Sequence, residues 1–208
     1  MNYGMIRYIL GKMLLIEGLL LLLPALVSFL YGEASGVSFL LVAGLLIVLY
    51  FAMGKKPKDS LIYAKEGFII VALAWILWSA FGAIPFVLSG GIPNYIDAFF
   101  ETVSGFTTTG STILTEIESL PKGMNFWRCQ THWIGGMGVL VFVMAIIPLS
   151  GKGAMFLMRA EMPGPTCDKL VPKTQATAKI LYGMYILLSL VEVIFLLFIP
   201  LRTIFLPS

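Results

Sequence analysis

The sequence predicts an all-α membrane protein, and three observations carry that prediction. Hydrophobic residues make up 59% of the 208 and charged residues only 12%, against about 25% charged in an ordinary soluble domain. The mean hydropathy is +0.94. Five apolar runs, 8–30, 37–53, 68–88, 126–149 and 180–199, approach or exceed the roughly 20 residues a helix needs to cross hydrocarbon.

The first run is too long for a signal-peptide core and reads as a retained helix. The second is short and spans with little tilt. One further apolar segment, 92–106, carries Asp97 and Glu101 and lies between Ser89-Gly90-Gly91 and Ser104-Gly105. At about 1.5 Å per residue it reaches only about two-thirds of the way across the hydrocarbon. It reads as a half-helix that enters and turns back.

Basic residues orient the chain. Arg7 and Lys12, then Lys55, Lys56, Lys58 and Lys65, then Lys152, Arg159, Lys169, Lys173 and Lys179 fall on one side, eleven of the fourteen Lys and Arg residues. That side is expected to be cytoplasmic, with the N-terminus. Lys122, Arg128 and Arg202 remain on the other side with Glu33, Asp97, Glu101, Glu116 and Glu118. The topology closes only if 92–118 does not cross. The net charge of +3 is spread over inter-helix segments, a topology signal rather than a nucleic-acid surface. Cys129 and Cys167 fall on opposite predicted sides, which argues against a disulfide.

Polar backbone at membrane depth is tolerated only where it is buried in protein or lines a water-filled path. Phe106-Thr107-Thr108-Thr109-Gly110-Ser111-Thr112 is such a stretch. Its carbonyls and hydroxyls can replace the hydration shell of a monovalent cation. Gly110 supplies the φ freedom to aim successive carbonyls at one axis. The half-helix is expected to present unpaired C-terminal carbonyls to the threonine run. Asp97 and Glu101 are expected to add negative potential at the outer mouth. The other reading of Thr-Thr-Thr-Gly is a polar helix terminus with a glycine cap.

The stretch from Asp97-Ala98-Phe99-Phe100-Glu101 through Ser104-Gly105-Phe106 to Gly110-Ser111-Thr112 closely resembles the first pore loop of TrkH-type potassium uptake proteins, of the Trk/Ktr/HKT superfamily. Phe126-Trp127-Arg128 with His132-Trp133-Ile134-Gly135-Gly136-Met137-Gly138 is similar to the start of that family's next helix. Arg159-Ala160-Glu161 and Pro163-Gly164-Pro165-Thr166 are similar to the linker after it. The resemblance implies four repeats of helix, pore loop and helix around one pore, with two extra helices in front. It divides this chain into two leading transmembrane helices (1–65), a first pore repeat (66–150, with half-helix and filter at 92–112), and a loop with the first helix of a second repeat (151–208).

The resemblance also implies K⁺ as the transported ion, held by carbonyls of Thr108 and Thr109 within a filter of Thr107, Thr108, Thr109, Gly110 and Ser111. It implies no organic cofactor, a bacterial or archaeal plasma membrane, a homodimer, and a cytoplasmic nucleotide-binding regulatory subunit (TrkA-like) against the basic loop 152–179. The filter lacks the Val-Gly-Tyr-Gly ending of potassium channels, which implies looser discrimination against Na⁺. Three of the four filter strands are outside this sequence. Conduction is therefore expected to need the remaining repeats or further copies, the alternative being a truncated, non-conducting assembly or regulatory fragment.

Other residues carry paired readings. Glu17 and Glu192 lie inside spans, for proton coupling or, with more weight, inter-helix hydrogen bonding. His132 is a pH sensor or, more often for a lone histidine, a packed residue. Arg128 pairs with an outer carboxylate such as Glu101 or snorkels to solvent. Gly135, Gly136 and Gly138 pack against the pore loop or form a bending point. Trp75, Trp78, Trp127 and Trp133 include expected interface anchors. One histidine with no CxxC, HExxH or GxSxG gives no support to a metal site of usual type or an intramembrane enzyme.

Overall fold

The computed structural model describes residues 2–53, 57, 64–138 and 174–198. Among them every regular element is helical: α1 Tyr3–Leu20, α2 Leu22–Leu30, α3 Gly36–Met53, α4 Ala64–Leu88, α5 Tyr95–Phe106, one 3-10 turn Ile117–Ser119, α6 Lys122–Gly136 and α7 Thr174–Phe198. Tyr3–Leu30, Gly36–Met53, Lys65–Leu88 and Lys179–Leu197 are long and apolar enough to cross a membrane. The second half of the predicted span 126–149, most of the basic segment 152–179 and the motif at 159–166 lie outside the described residues.

α1 starts where Asn2 accepts a hydrogen bond from the Met5 N–H at 3.0 Å. The predicted single run 8–30 is interrupted at Leu21. Pro24 has no N–H to give the Leu20 carbonyl. The Gln130 side-chain amide donates to that carbonyl instead, at 3.3 Å. The missing helix bond thus becomes a tie to α6.

α1 packs on α3 and α4, α2 on α3 and α6, and α5 between α4 and α6. Apolar burial does not drive such packing in lipid; close contact and inter-helix hydrogen bonds do. Trp78, Phe106 and Trp127 are fully buried, with Phe106 centroids 5.6 Å from Trp78 and 6.1 Å from Trp127. The Trp127 indole N–H donates to the Gly82 carbonyl at 2.9 Å. Trp78 and Trp127 are therefore core residues, contrary to the anchoring role considered for the tryptophans. Trp133 joins α6 to α7, its indole donating to Ser189 at 3.1 Å while Tyr185 donates to its carbonyl at 3.0 Å. The rest of α7 is largely exposed.

Glu33, between α2 and α3, reaches the start of α6. It accepts from the Lys122 N–H at 2.6 Å, the Gly123 N–H at 3.1 Å and the Ser35 hydroxyl at 3.2 Å. A carboxylate here satisfies orphan donors and meets the positive end of the helix. Partial burial pushes its carboxyl up, but the Gly123 and Lys122 N–H groups, Ser35 and the Lys122 charge together hold it below the usual value.

Candidate functional site

α5 spans twelve residues, about 18 Å. It starts three residues later than the predicted 92 because Asn94 caps it, accepting from the Ile96 N–H at 3.0 Å. It is tied to α4 by Thr102, whose hydroxyl donates to the Ser79 carbonyl at 2.8 Å, and by Tyr95, which donates to Ala80 at 3.1 Å.

The end of α5 departs from the expected array of unpaired carbonyls. Thr108 N–H donates to Gly105 and Thr109 N–H to Ser104, both at 2.9 Å. These two bonds form a Schellman cap. The Thr107 N–H donates to Val103 at 2.9 Å. Three of the last carbonyls are thus spent, which weakens the negative end facing the loop. The left-handed residue of the cap is Thr108, at φ +56°, where β-branched residues are genuine outliers. Gly110 follows at φ +77°.

Beyond the cap, residues 107–113 are all exposed. Among the described residues no donor reaches the carbonyls of Thr107, Thr108, Thr109 or Gly110. The Thr107 and Thr109 hydroxyls bond each other at 2.8 Å. The Ser111 carbonyl differs from its neighbours, since it accepts from the Ser104 hydroxyl at 2.6 Å.

Glu101 anchors the exit of the loop. Only 1% exposed, it pairs with Arg128, whose Nε donates to Oε1 at 2.5 Å. Its other oxygen accepts from the Thr112 hydroxyl at 2.9 Å and the Ile113 N–H at 3.3 Å. The structure thus takes the pairing alternative for Arg128. The Glu101 charge is thereby buried and matched. Asp97 is half-buried in the first turn of α5. It complements the helix N-terminus, and about 15 Å of helix axis separates it from Thr107.

α6 backs the half-helix. A Cβ at Gly135 would sit 2.7 Å from the Phe106 carbonyl carbon, and one at Gly105 would meet the Thr131 side chain. Gly136 instead faces Tyr185 of α7, and Gly138 adopts φ +83°. His132 is packed, its Nδ1 2.9 Å from the Arg128 carbonyl, which makes Nδ1 the protonated nitrogen. Cys129 is a free, exposed thiol. Glu17 is wholly buried and, among the described residues, makes none of the expected inter-helix hydrogen bonds. Glu192 faces outward on α7. Sequence reading missed Ser104, Thr131 and Gln130. Gln130 sits among Arg128, Thr131 and His132, so its amide did not stand out.

Membrane-length helices enclosing a short helix, followed by an extended loop with free carbonyls, define a polytopic membrane protein organised around one hydroxyl-rich loop. The family model described as "TrkH: Cation transport protein" matches residues 38–205, and the chain belongs to that family. The chain is 40% identical over 195 residues to the Trk system potassium uptake protein TrkH of Escherichia coli, covering 91% of this chain and 40% of that protein. It is 37% identical to the corresponding protein of Halomonas elongata, with the same coverage. The crystal structure of the potassium transporter TrkH from Vibrio parahaemolyticus superposes with a TM-score of 0.67 at 33% identity, over 89% of this chain and 37% of that one. The chain therefore spans about two-fifths of the length of these relatives.

Proposed function

We propose that this chain supplies the leading helices and first pore repeat of a K⁺ uptake protein, with 107–111 as one strand of the ion path. One observation supports this reading above the rest: four consecutive carbonyls, Thr107 to Gly110, accept no hydrogen bond among the described residues, while the backbone on both sides is held by the α5 cap and by Glu101. Carbonyls left without a donor at membrane depth need a partner; a dehydrated cation supplies it. K⁺ is the cargo, taken up by Thr108 and Thr109 carbonyls, and no organic cofactor is needed.

In this reading 1–65 are the leading helices, 66–150 the first repeat and 151–208 the entry to a second. The basic segments lie in the cytoplasm with the N-terminus, in a bacterial or archaeal plasma membrane. The partners are the remaining repeats or further copies, a second protomer, and a nucleotide-binding regulatory subunit of the TrkA type on the basic loop. The names of the relatives, which call them potassium uptake proteins, agree with this assignment.

The exposure of all of 107–113 in this chain favours a second reading for the 208 residues alone, a non-conducting assembly or regulatory fragment. One strand offers oxygens from one side only. Growth at low K⁺ in uptake-deficient cells decides between them. A chain carrying all four repeats rescues growth, and Gly110→Ser in it abolishes rescue or admits Na⁺. If the mutant grows like the parent with unchanged selectivity, the filter assignment fails; if the 208 residues rescue alone, copies of this chain complete the pore.

A further inference from the structure

Near the last residue of α5 lies a buried carboxyl that is not among the proposed filter residues 107–111. Glu17 on α1 is 0% exposed, and neither oxygen has a hydrogen-bond partner among the described residues. Its surroundings are visible at Gly82 of α4. A Cβ there would lie 3.5 Å from Glu17 Oε1, 3.2 Å from the Trp127 ring and 3.4 Å from the Phe106 ring. Glu17 therefore meets α4, α6 and the last residue of α5 at one point.

Two more orphan groups line this cluster. Trp78, one turn before Gly82 on α4 and packed on Phe106, has a buried indole N–H without an acceptor among the described residues. Gln130, one turn after Trp127 on α6, gives its amide N–H to Leu20, one turn after Glu17, and its buried Oε1 has no donor among the described residues. An ionised Glu17 offers only acceptors. Among the described residues Glu17 bonds neither Trp78 nor Gln130, so ionisation would leave a full charge buried with no hydrogen bond and no counter-ion, a very costly arrangement. A protonated Glu17 leaves no charge.

The charges on the neighbouring elements are placed or engaged elsewhere. α2 and α3 carry no charged side chain, and Tyr50 is the one titratable group on α3. On α4, Lys65 and Glu66 lie at the opposite end from Leu88, with Glu66 accepting from the Asn2 N–H. On α1, Lys12 sits over the Tyr8 ring and Arg7 is two turns or more before Glu17. On α5, Asp97 is in the first turn and Glu101 is matched by Arg128. On α6, Lys122 begins the helix, His132 bonds the Arg128 carbonyl and Cys129 is exposed.

We propose that Glu17 is a proton-binding site: a neutral carboxylic acid that seats Phe106 and the end of the half-helix, and whose deprotonation loosens them. An added negative charge against Phe106 would face the C-terminal, negative end of α5 and demand water or displacement. The site lies outside the ion path, so it stands or falls separately from the transport assignment.

Infrared difference spectroscopy of the purified protein in lipid, titrated with alkali, reads the proton directly. The expected result is a protonated-carboxyl C=O band at neutral pH that is lost on alkalinisation and absent from Glu17→Gln. Amide hydrogen exchange over 104–113, compared between parent and Glu17→Gln at matched alkaline pH, should show loss of protection in the parent alone. Absence of the band at neutral pH overturns the proposal. So does loss of the band on adding Na⁺ at fixed pH, which would make this a metal-cation site. Failure of Glu17→Gln to assemble while Glu17→Asp does would also overturn it, because a charge would then be required.

Discussion

Replacing Arg128 with methionine tests how the loop exit is held. Glu101 is 1% exposed and Arg128 13%, so the carboxylate is the more deeply buried partner. Arg128→Met leaves a buried charge with only the Thr112 hydroxyl and the Ile113 N–H. Breaking a buried pair in this way costs about 3–5 kcal/mol. Glu101→Gln removes the charge, keeps one acceptor and leaves the cation on the partner nearer solvent, a loss of about 1–3 kcal/mol. Arg128→Met should therefore be the worse variant. The double variant should recover part of the loss, since the orphan charge is gone. Thermal unfolding in detergent measures the order, with the Arg128→Met midpoint falling further than that of Glu101→Gln. An Arg128→Met midpoint equal to or above that of Glu101→Gln would refute the clamp.

Three further expectations follow from named contacts. Gly135→Ala drives a methyl into the Phe106 backbone; a backbone atom cannot rotate away, so a loss of at least about 1–3 kcal/mol is expected in thermal unfolding. Thr108→Gly relieves a left-handed β-branched residue, worth about 1–2 kcal/mol; the midpoint should hold or rise while Rb⁺ over Na⁺ discrimination falls in flux assays. Glu33 has a carboxyl held below its usual value of 4.5, so its contribution is complete above that value and is lost as pH falls through the lowered one; acid unfolding should be less steep in Glu33→Gln, read by midpoint against pH.

Four of the five expected spans were legible because run length needs no tertiary information. The half-helix was legible as a run too short to cross, yet its start was not, because the Asn94 cap and not hydropathy sets it. The threonine run stood out as hydroxyl-rich backbone in an apolar chain. Which of its carbonyls stay free depends on the cap at Thr108 and on Ser104, and neither is visible in composition. The Glu101–Arg128 pair was legible as one of two alternatives for Arg128; the depth of its burial was not, because sequence gives position along a helix and not the opposing face. The tryptophans misled for the same reason, with Trp78 and Trp127 turned inward by the packing of α5. Pro24 was visible, but its consequence, a carbonyl taken by Gln130 across 110 residues, was not.

Thiol accessibility at the centre of the loop bears most directly on the central claim, that the free carbonyls of 107–110 border an aqueous ion path. In a chain carrying all four repeats and no other cysteine, with Cys129→Ser and Cys167→Ser, a cysteine replaces Thr109, and a charged, membrane-impermeant methanethiosulfonate is added from the side opposite the basic loops. The account expects modification that blocks Rb⁺ flux and is slowed by high K⁺. Modification with flux intact, or no modification from that side, would contradict it.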